Sequence, residues 1–347
     1  MLDYLVVGSG IGSFCLCKRL ADENKSFSVV SDFRNSATQV AGGIINPIIL
    51  KRFKPFWKAM AFYNEAIRFY DDLQIQLDDN ILSKKDIIRV FSTIEEQNNW
   101  YAALDKPVLN EFLETKLLDQ DDQLKSKFKL GQMHNAFLVD AKKILTYFHN
   151  QFLKNQTYYH SRFDYSKLIF HTDFIVYDEL QVKKIIFTEG FQAMFNPFFN
   201  YLPIYGNRGD YLVFKSSNLR LDKLIKGRNF LIPLGNGFFK FGATFDRNNL
   251  TNVTPVDYQY SLIRSLQSLI KSDFEVVRFE SGIRPNIKDR RPILGQHPVH
   301  KGLYIMNGFG SRGIFMSPLL SKWLYHYLED DKNLPHEVNI KRFQSYF

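Results

Sequence analysis

The first thirty residues constrain this chain most. An apolar run, Leu5-Val6-Val7, passes directly into Gly8-Ser9-Gly10-Ile11-Gly12-Ser13, three glycines within five positions. From Ile11 to about Leu20 the pattern is helical, with Leu16 and Leu20 on one stripe. A second apolar run, Phe27–Val30, ends at Ser31-Asp32. Strand, glycine turn, helix and strand within about 30 residues is the minimal crossover for parallel strands, and it points to an α/β fold.

The turn has a chemical reading. A tight turn from a parallel strand into a helix needs a residue free of Cβ constraints, and Gly8 supplies it. A second glycine, Gly10, lets a pyrophosphate approach the backbone, and the helix N-terminus offers unpaired N–H groups and a positive dipole end. The third position of G-x-G-x-x-G falls on Ser13, with Gly12 beside it; serine is small enough for helix–strand packing but departs from the pattern. Asp32 lies where an acid meets a ribose hydroxyl, with Ser31 a competitor one position earlier. These features predict dinucleotide binding and do not separate FAD from NAD. Two further glycine clusters stand apart. Val40-Ala41-Gly42-Gly43-Ile44-Ile45-Asn46-Pro47 is apolar yet too broken for a strand, and suits close approach to a flat ligand or a buried turn. Asn307-Gly308-Phe309-Gly310-Ser311-Arg312-Gly313 again joins a strand to a helix, and a second helix N-terminus can face an electron-rich group or simply cap a turn.

At 347 residues the chain exceeds what one core usually fills. Helices are expected over Pro55–Leu73 and Val139–Phe152, after a capping box at Ser92-Thr93-Ile94-Glu95-Glu96, from Thr254-Pro255 and from about Ile314. Strands are expected at Tyr4–Val7, Asp86–Phe91, Leu168–Phe170, Phe174–Tyr177, Lys184–Phe187, Tyr211–Phe214, Phe230–Ile232, Phe238–Gly242, Phe274–Phe279 and Leu303–Met306. Strand–helix alternation at both ends with β-rich sequence between predicts a discontinuous Rossmann-like nucleotide domain carrying a second β-rich domain with a mixed sheet and helices. The boundaries expected are 1–80 with 137–200 and 283–347 for the first, and 81–136 with 201–282 for the second. The net charge of +9 permits attraction to nucleic acid, anionic lipid or acidic metabolites without choosing among them. No window approaches a membrane span, the N-terminus lacks a basic leader, and Cys15 and Cys17 stand two apart in a predicted helix, so a reducing cytoplasm is expected.

The segments VVGSGIGS, VAGGIINP, FTEG before LPIYGNRGDYLVF, FLIPLGNGFFKFGATF, and GIRPNIKDRRPILGQHP followed by NGFGSRGI, in this order, resemble the D-amino-acid-oxidase (DAO) family of FAD oxidoreductases. Within it they look most like glycine oxidases and the flavin domain of a tRNA methylaminomethyl-uridine enzyme. The resemblance implies that Gly8, Ser9, Gly10, Ile11, Gly12 and Ser13 hold the FAD pyrophosphate and Asp32 or Ser31 the adenosine ribose. It places Ala41, Gly42, Gly43 and Ile44 along the flavin ring, Thr188 and Gly190 at the close of the FAD domain, and Gly308, Gly310, Ser311, Gly313 and Ile314 at the pyrimidine edge. Arg284 of GIRP is the implied clamp for a substrate carboxylate, Arg312 a second active-site arginine, and Leu231, Phe245 and Tyr205 the implied pocket wall.

The residues agree with that chemistry. A buried carboxylate anchor is better made by arginine than lysine, since its fork donates two parallel hydrogen bonds and stays charged. Arg284 precedes Pro285, which biases it to extended geometry. No Ser-His-Asp or metal cluster is apparent, the eight histidines are dispersed, and no Cys or His in residues 36–47 could tether a flavin, so non-covalent FAD is expected. The expected activity is oxidation of the C–N bond of a small amine or amino acid. The alternative is a tRNA-modifying flavoenzyme that removes a carboxymethyl group from a wobble uridine, and the blandest reading is an FAD-holding protein without a redox role.

Overall fold

The structure is a computed structural model and describes residues 1–32, 36–154 and 157–347. The opening crossover is β1 (Leu2–Val7), α1 (Ile11–Asp22) and β2 (Phe27–Val30). Three short strands follow, β3 (Ile44–Ile45), β4 (Ile48–Ile49) and β5 (Lys54–Pro55), then α2 (Ala59–Leu77), β6 (Leu82–Val90), α3 (Ile94–Tyr101) and β7 (Leu130–Val139). Next come α4 (Ala141–Lys154), β8 (Tyr158–Tyr159), β9 (Leu168–Phe170), β10 (Ile175–Tyr177) and β11 (Leu180–Phe187). The chain continues through β12 (Ile204–Lys215), β13 (Leu224–Lys226), β14 (Phe230–Gly235), β15 (Phe238–Gly242) and α5 (Val256–Gln267). It closes with β16 (Glu275–Ile287), β17 (Ile293–Gln296), β18 (Leu303–Asn307) and α6 (Gly313–Glu329).

Two compact units result: unit 1 is Met1–Ala41, Asp140–Asn207 and Gly282–Phe347, and unit 2 is Gly42–Val139 with Arg208–Ser281. The boundaries differ from those expected: residues 42–80 and 137–139 belong to unit 2, and 201–207 to unit 1. β3 pairs antiparallel with β7, Ile44 opposite Leu138, and Ile48, Leu50 and Phe53 bury against Ile87, Trp100 and Leu224. Those non-local contacts have no trace in local periodicity.

Unit 1 is an open sheet in the order β17-β18-β11-β1-β2-β8, with β1 parallel to both β2 and β11 and β11 parallel to β18. One face buries Leu5, Val7, Ile185, Phe187 and Ile305 with Phe199 and Phe343. Phe14 of α1 meets Phe148 of α4 edge to face at 5.4 Å. Because the central strands run parallel, the residues that follow β1, β11 and β18 all emerge at one edge of the sheet.

Unit 2 is built on a mixed sheet, β16-β12-β15-β14-β13-β6-β7-β3. Alternation divides its strands between two cores: Ile87 and Ile232 face one, Ile88, Leu212, Leu231 and Phe241 the other. Thr93 caps α3 by accepting from Glu96 N–H at 3.2 Å, while Glu96 reaches back to Ser92 N–H at 2.8 Å, so the capping-box signal is realised one residue out. α2 begins at Ala59 rather than Pro55, since Lys54-Pro55 pairs with Ile48-Ile49 and Lys58 adopts φ +47° before the helix. Pro255 is the N-cap of α5 rather than its first helical residue. β7 was not anticipated, because its LGQMHNAFLV sequence lacks clean alternation and is held in place by pairing along β6.

Candidate functional site

The glycine turn, the end of β11 and the end of β18 meet in unit 1. Gly8 has φ +119°, and a Cβ there would fall 2.7 Å from the Thr188 carbonyl oxygen. Glycine is therefore required at this position by conformation and by space. A Cβ on Gly10 would crowd Ser36 Oγ at 3.3 Å and Thr38 Oγ1 at 3.5 Å. Gly10, the N-cap of α1, brings no side-chain acceptor, no acid lies in the helix's first turn, and Ile11 N–H donates to Thr38 Oγ1 at 3.1 Å. A helix N-terminus without a competing carboxylate is an anion seat.

Ser13, at the third motif position, turns its hydroxyl toward the end of β11. It is fully buried, its hydroxyl lies 2.6 Å from Thr188 Oγ1, and Thr188 in turn donates to Val7 O at 2.8 Å. The serine thus replaces glycine's close packing with a hydrogen-bonded contact between α1 and β11. Ser31 and Asp32 follow β2 as expected, both partly exposed. Ser31 Oγ is 2.8 Å from Ser9 Oγ, and its carbonyl accepts from Tyr158 OH at 2.5 Å, which ties the end of β2 to the turn.

The last glycine cluster joins them. α6 starts at Gly313, and a Cβ there would touch Ile11 at 3.2 Å; one on Gly12 would meet Phe309 at 2.7 Å. The N-terminal turns of α1 and α6 are therefore neighbours. Gly308 and Gly310 have φ +80° and +55°, with Gly308 N–H donating to Asn307 Oδ1 at 2.8 Å and Gly310 N–H to Pro285 O at 2.9 Å. Asn307 Nδ2 donates to Gly190 O at 2.8 Å, so Gly190 is held by β18's end. Ile314 is buried in the first turn of α6, and Ser311 is exposed.

Arg284 lies on the unit 1 end of β16, beside the Pro285–Gly310 bond, with its side chain 8% exposed and Nη1 donating to Asn207 Oδ1 at 3.4 Å. Arg312 is the N-cap of α6, its guanidinium 5.7 Å from the Phe315 ring; burial pushes its pKa down to about 10, which leaves it charged at neutral pH. Glu189, between Thr188 and Gly190, accepts from Tyr165 OH at 2.5 Å and Asn196 Nδ2 at 2.8 Å. Burial raises its pKa to about 7, and those two bonds oppose the rise.

The middle glycine cluster divides between the units. Ala41 ends a turn of unit 1, its N–H donating to Thr38 O at 3.2 Å. Gly43 has φ +72°, and a Cβ there would overlap the Val139 carbonyl at 2.1 Å, so backbone packing within unit 2 already requires it. A Cβ on Gly42 would meet Ile232 at 2.8 Å and Tyr211 OH at 3.3 Å. Ile44 is partly exposed in β3. Leu231 corrects an expectation: it is fully buried in unit 2's other core with Leu212 and Phe241, because strand alternation puts Ile232, not Leu231, on the side of Gly42. Phe245 is 68% exposed. Tyr205 is partly exposed.

Sequence reading missed Thr38, Asn207 and Lys240, and gave Asn307 no role of its own within its cluster. Thr38, Asn207 and Asn307 are buried polar residues whose partners lie far along the chain. Lys240, in FFKFG, reads as the outward residue of an alternating strand. It is 4% exposed, pairs with Glu280 at 2.7 Å, and sits 4.7 Å from the Tyr211 ring. Nothing in strand periodicity distinguishes such a buried, paired lysine from a solvated one.

The FAD dependent oxidoreductase (DAO) family matches residues 3–326. The chain belongs to that family. It is an FAD-dependent oxidoreductase, and the glycine turn, the open α1 N-terminus and the adjacent α6 N-terminus fit the cofactor's diphosphate and its electron-rich end. Glycine oxidase from Geobacillus kaustophilus is 26% identical over 122 residues, covering 34% of this chain and 32% of that protein. The tRNA 5-methylaminomethyl-2-thiouridine biosynthesis bifunctional protein MnmC of Saccharophagus degradans is 26% identical over 159 residues, covering 36% of this chain and 22% of that protein. The matched stretches thus span about a third or less of these relatives. The crystal structure of glycine oxidase from Bacillus cereus superposes with a TM-score of 0.81 at 16% identity, covering 96% of each chain, and so shares the fold. Among the described residues no helix is long and apolar enough to cross a membrane.

Proposed function

We propose that this FAD-dependent oxidoreductase oxidises the C–N bond of a small amine or amino acid whose carboxylate is clamped by Arg284. One observation carries the reading: Arg284 is a nearly fully buried guanidinium tied, through the Pro285–Gly310 bond beside it, to the loop that opens α6. A guanidinium keeps its charge when buried and binds a carboxylate through two parallel hydrogen bonds, which fixes the direction of the neighbouring C–H bond. FAD, when bound, supplies the hydride acceptor. The chain's part is to seat the diphosphate at Gly8–Ser13, to hold the pyrimidine edge at Gly308–Ile314, with the ring lined by Ala41–Ile44, and to orient the substrate. Asn207 Oδ1, a neutral acceptor, takes a hydrogen bond from Arg284 Nη1 and steadies the fork. We assign Arg312 a supporting charge at the α6 end. With Cys15 and Cys17 buried in α1, the FAD is held non-covalently; acid precipitation should leave the yellow colour in the supernatant.

Anaerobic bleaching of the flavin by a panel of glycine, sarcosine, proline and D-amino acids tests the reading. At least one should reduce it, and Arg284→Ala should weaken that substrate by about 100-fold while retaining FAD, as expected for loss of a buried charged hydrogen-bond pair. Unchanged turnover in Arg284→Ala, or no bleaching at high substrate, removes it. A second reading, action on a modified uridine of tRNA, is supported by the match to the tRNA-modifying protein and by the +9 charge. The carboxymethylamine of such a substrate would use Arg284 in the same way.

A further inference from the structure

Residues 46–64 contain Lys51, Arg52, Lys54 and Lys58 and no acid. In unit 2 this stretch forms the β4–β5 hairpin and its exit, with Ile49 opposite Lys54. Its apolar side chains turn inward: Leu50 and Phe53 are buried against Ile87, Trp100 and Leu224. The four cations turn outward and are all exposed, and among the described residues none of them makes an ion pair. Phe53 and Lys58 hold φ of +41° and +47°, unfavourable for side chains of their size, so the inward–outward sorting is kept at some backbone cost.

The patch extends onto β13 and the turn after it. Arg228 is exposed, and its carbonyl accepts from Lys226 Nζ at 2.8 Å. Burial, then the charges of Arg89 and Lys51, push Lys226 down to about 8, so Lys51 brings its charge to this neighbourhood. The acid that reaches it, Glu96, is already held by Arg89 at 2.8 Å. Trp57 is half-buried beside Lys58, whose Nζ lies 5.6 Å from the ring.

We propose that the face formed by Lys51, Arg52, Lys54, Lys58 and Arg228 docks the phosphate backbone of an RNA at a single-stranded loop. Uncompensated cations spread along an outward-facing hairpin match a chain of phosphates better than one small anion, which would need them to converge. An anionic bilayer would also attract the charge, but stable lipid binding needs apolar side chains to insert, and here those of the hairpin tip point into the core. The half-exposed Trp57 ring offers stacking to an unpaired base, which RNA loops present and a duplex does not. The inference stands apart from the identity of the oxidised amine, so the two are measured separately.

The test uses the FAD-loaded protein and a fluorescein-labelled RNA stem-loop, with single-stranded DNA, duplex DNA and phosphatidylserine vesicles as competitors. About four phosphate contacts to a single strand give a log–log salt slope near −3, about 50-fold between about 50 and about 200 mM salt. The triple variant Lys51→Glu, Arg52→Glu, Lys54→Glu should lose at least about tenfold in affinity and flatten that slope. A control triple at exposed lysines elsewhere, Lys127→Glu, Lys271→Glu and Lys301→Glu, changes net charge equally and should lose far less. Flavin absorbance and turnover of small amines should be unchanged in both, which separates this result from the oxidase reading. Equal losses in the two triples, salt-insensitive or absent binding of the stem-loop, or preferential displacement by vesicles or duplex DNA would each overturn the proposal. If the hairpin triple does not fold, the salt slope and the competition order of the unaltered protein decide.

Discussion

Gly8 shows how tightly one position can be specified. An alanine at φ +119° is strained, and its Cβ would press on the Thr188 carbonyl, a backbone atom that cannot swing away. Gly8→Ala should cost about 2 kcal/mol or more and lose most bound FAD, read by thermal unfolding and by the ratio of flavin to protein absorbance. Glu189 gives a pH signature. Its carboxyl has a folded pKa raised from 4.5 to about 7 by burial, so the folded state binds the proton more tightly than the unfolded chain. The stability this contributes is complete below about pH 4.5 and is lost as pH rises through about 7, with a total of order 3 kcal/mol. Glu189→Gln, which keeps the neutral shape toward Tyr165 and Asn196, should flatten the fall in unfolding temperature between about pH 5 and pH 8 relative to the unaltered protein. A steeper fall in the variant would contradict this account. Of these residues Gly8 was readable in advance, since its constraint is local; the environment of Glu189 depends on Tyr165 and Asn196, which only the folded loop brings to it.

Elements differ in how far their sequences describe them. β2, β9 and β15 fall on Phe27–Val30, Leu168–Phe170 and Phe238–Gly242 as expected, because each is a compact apolar or alternating run. α3 carries its own cap, and Thr93→Ala should destabilise unit 2 by about 1 kcal/mol in urea unfolding. β7 and the β4–β5 hairpin escaped notice because their stability comes from partners rather than pattern: β7 pairs along β6, and the hairpin rests on Phe53 and Leu50. Lys240 in β15 belongs to the same class. Lys240→Met removes one half of a buried pair, but Glu280 keeps Arg278 at 2.8 Å, so the cost should stop near about 2 kcal/mol rather than the 3–5 kcal/mol of a fully orphaned charge.

For the molecule as a whole, the proposed FAD cradle combines β1, β11, β18 and two helix N-termini, so FAD binding should be coupled to folding of unit 1. Holding free FAD at about 100 times its dissociation constant should add about 2.7 kcal/mol to unit 1, and a calorimetric scan should move with FAD concentration. Order along the chain was enough to expect a discontinuous α/β protein and an anion-seating turn at Gly8–Ser13, because a strand, a glycine turn and a helix are local events within one crossover. It was enough, too, to single out Arg284 and the Asn307–Gly313 cluster as candidates. It did not say that Thr188 and Asn307 would clamp Gly8 and Gly190, that α6 would start against α1, or that residues 42–80 would join the second unit. Those outcomes depend on which strands lie side by side, and strand order is set by burial among segments more than a hundred residues apart, which no local periodicity records.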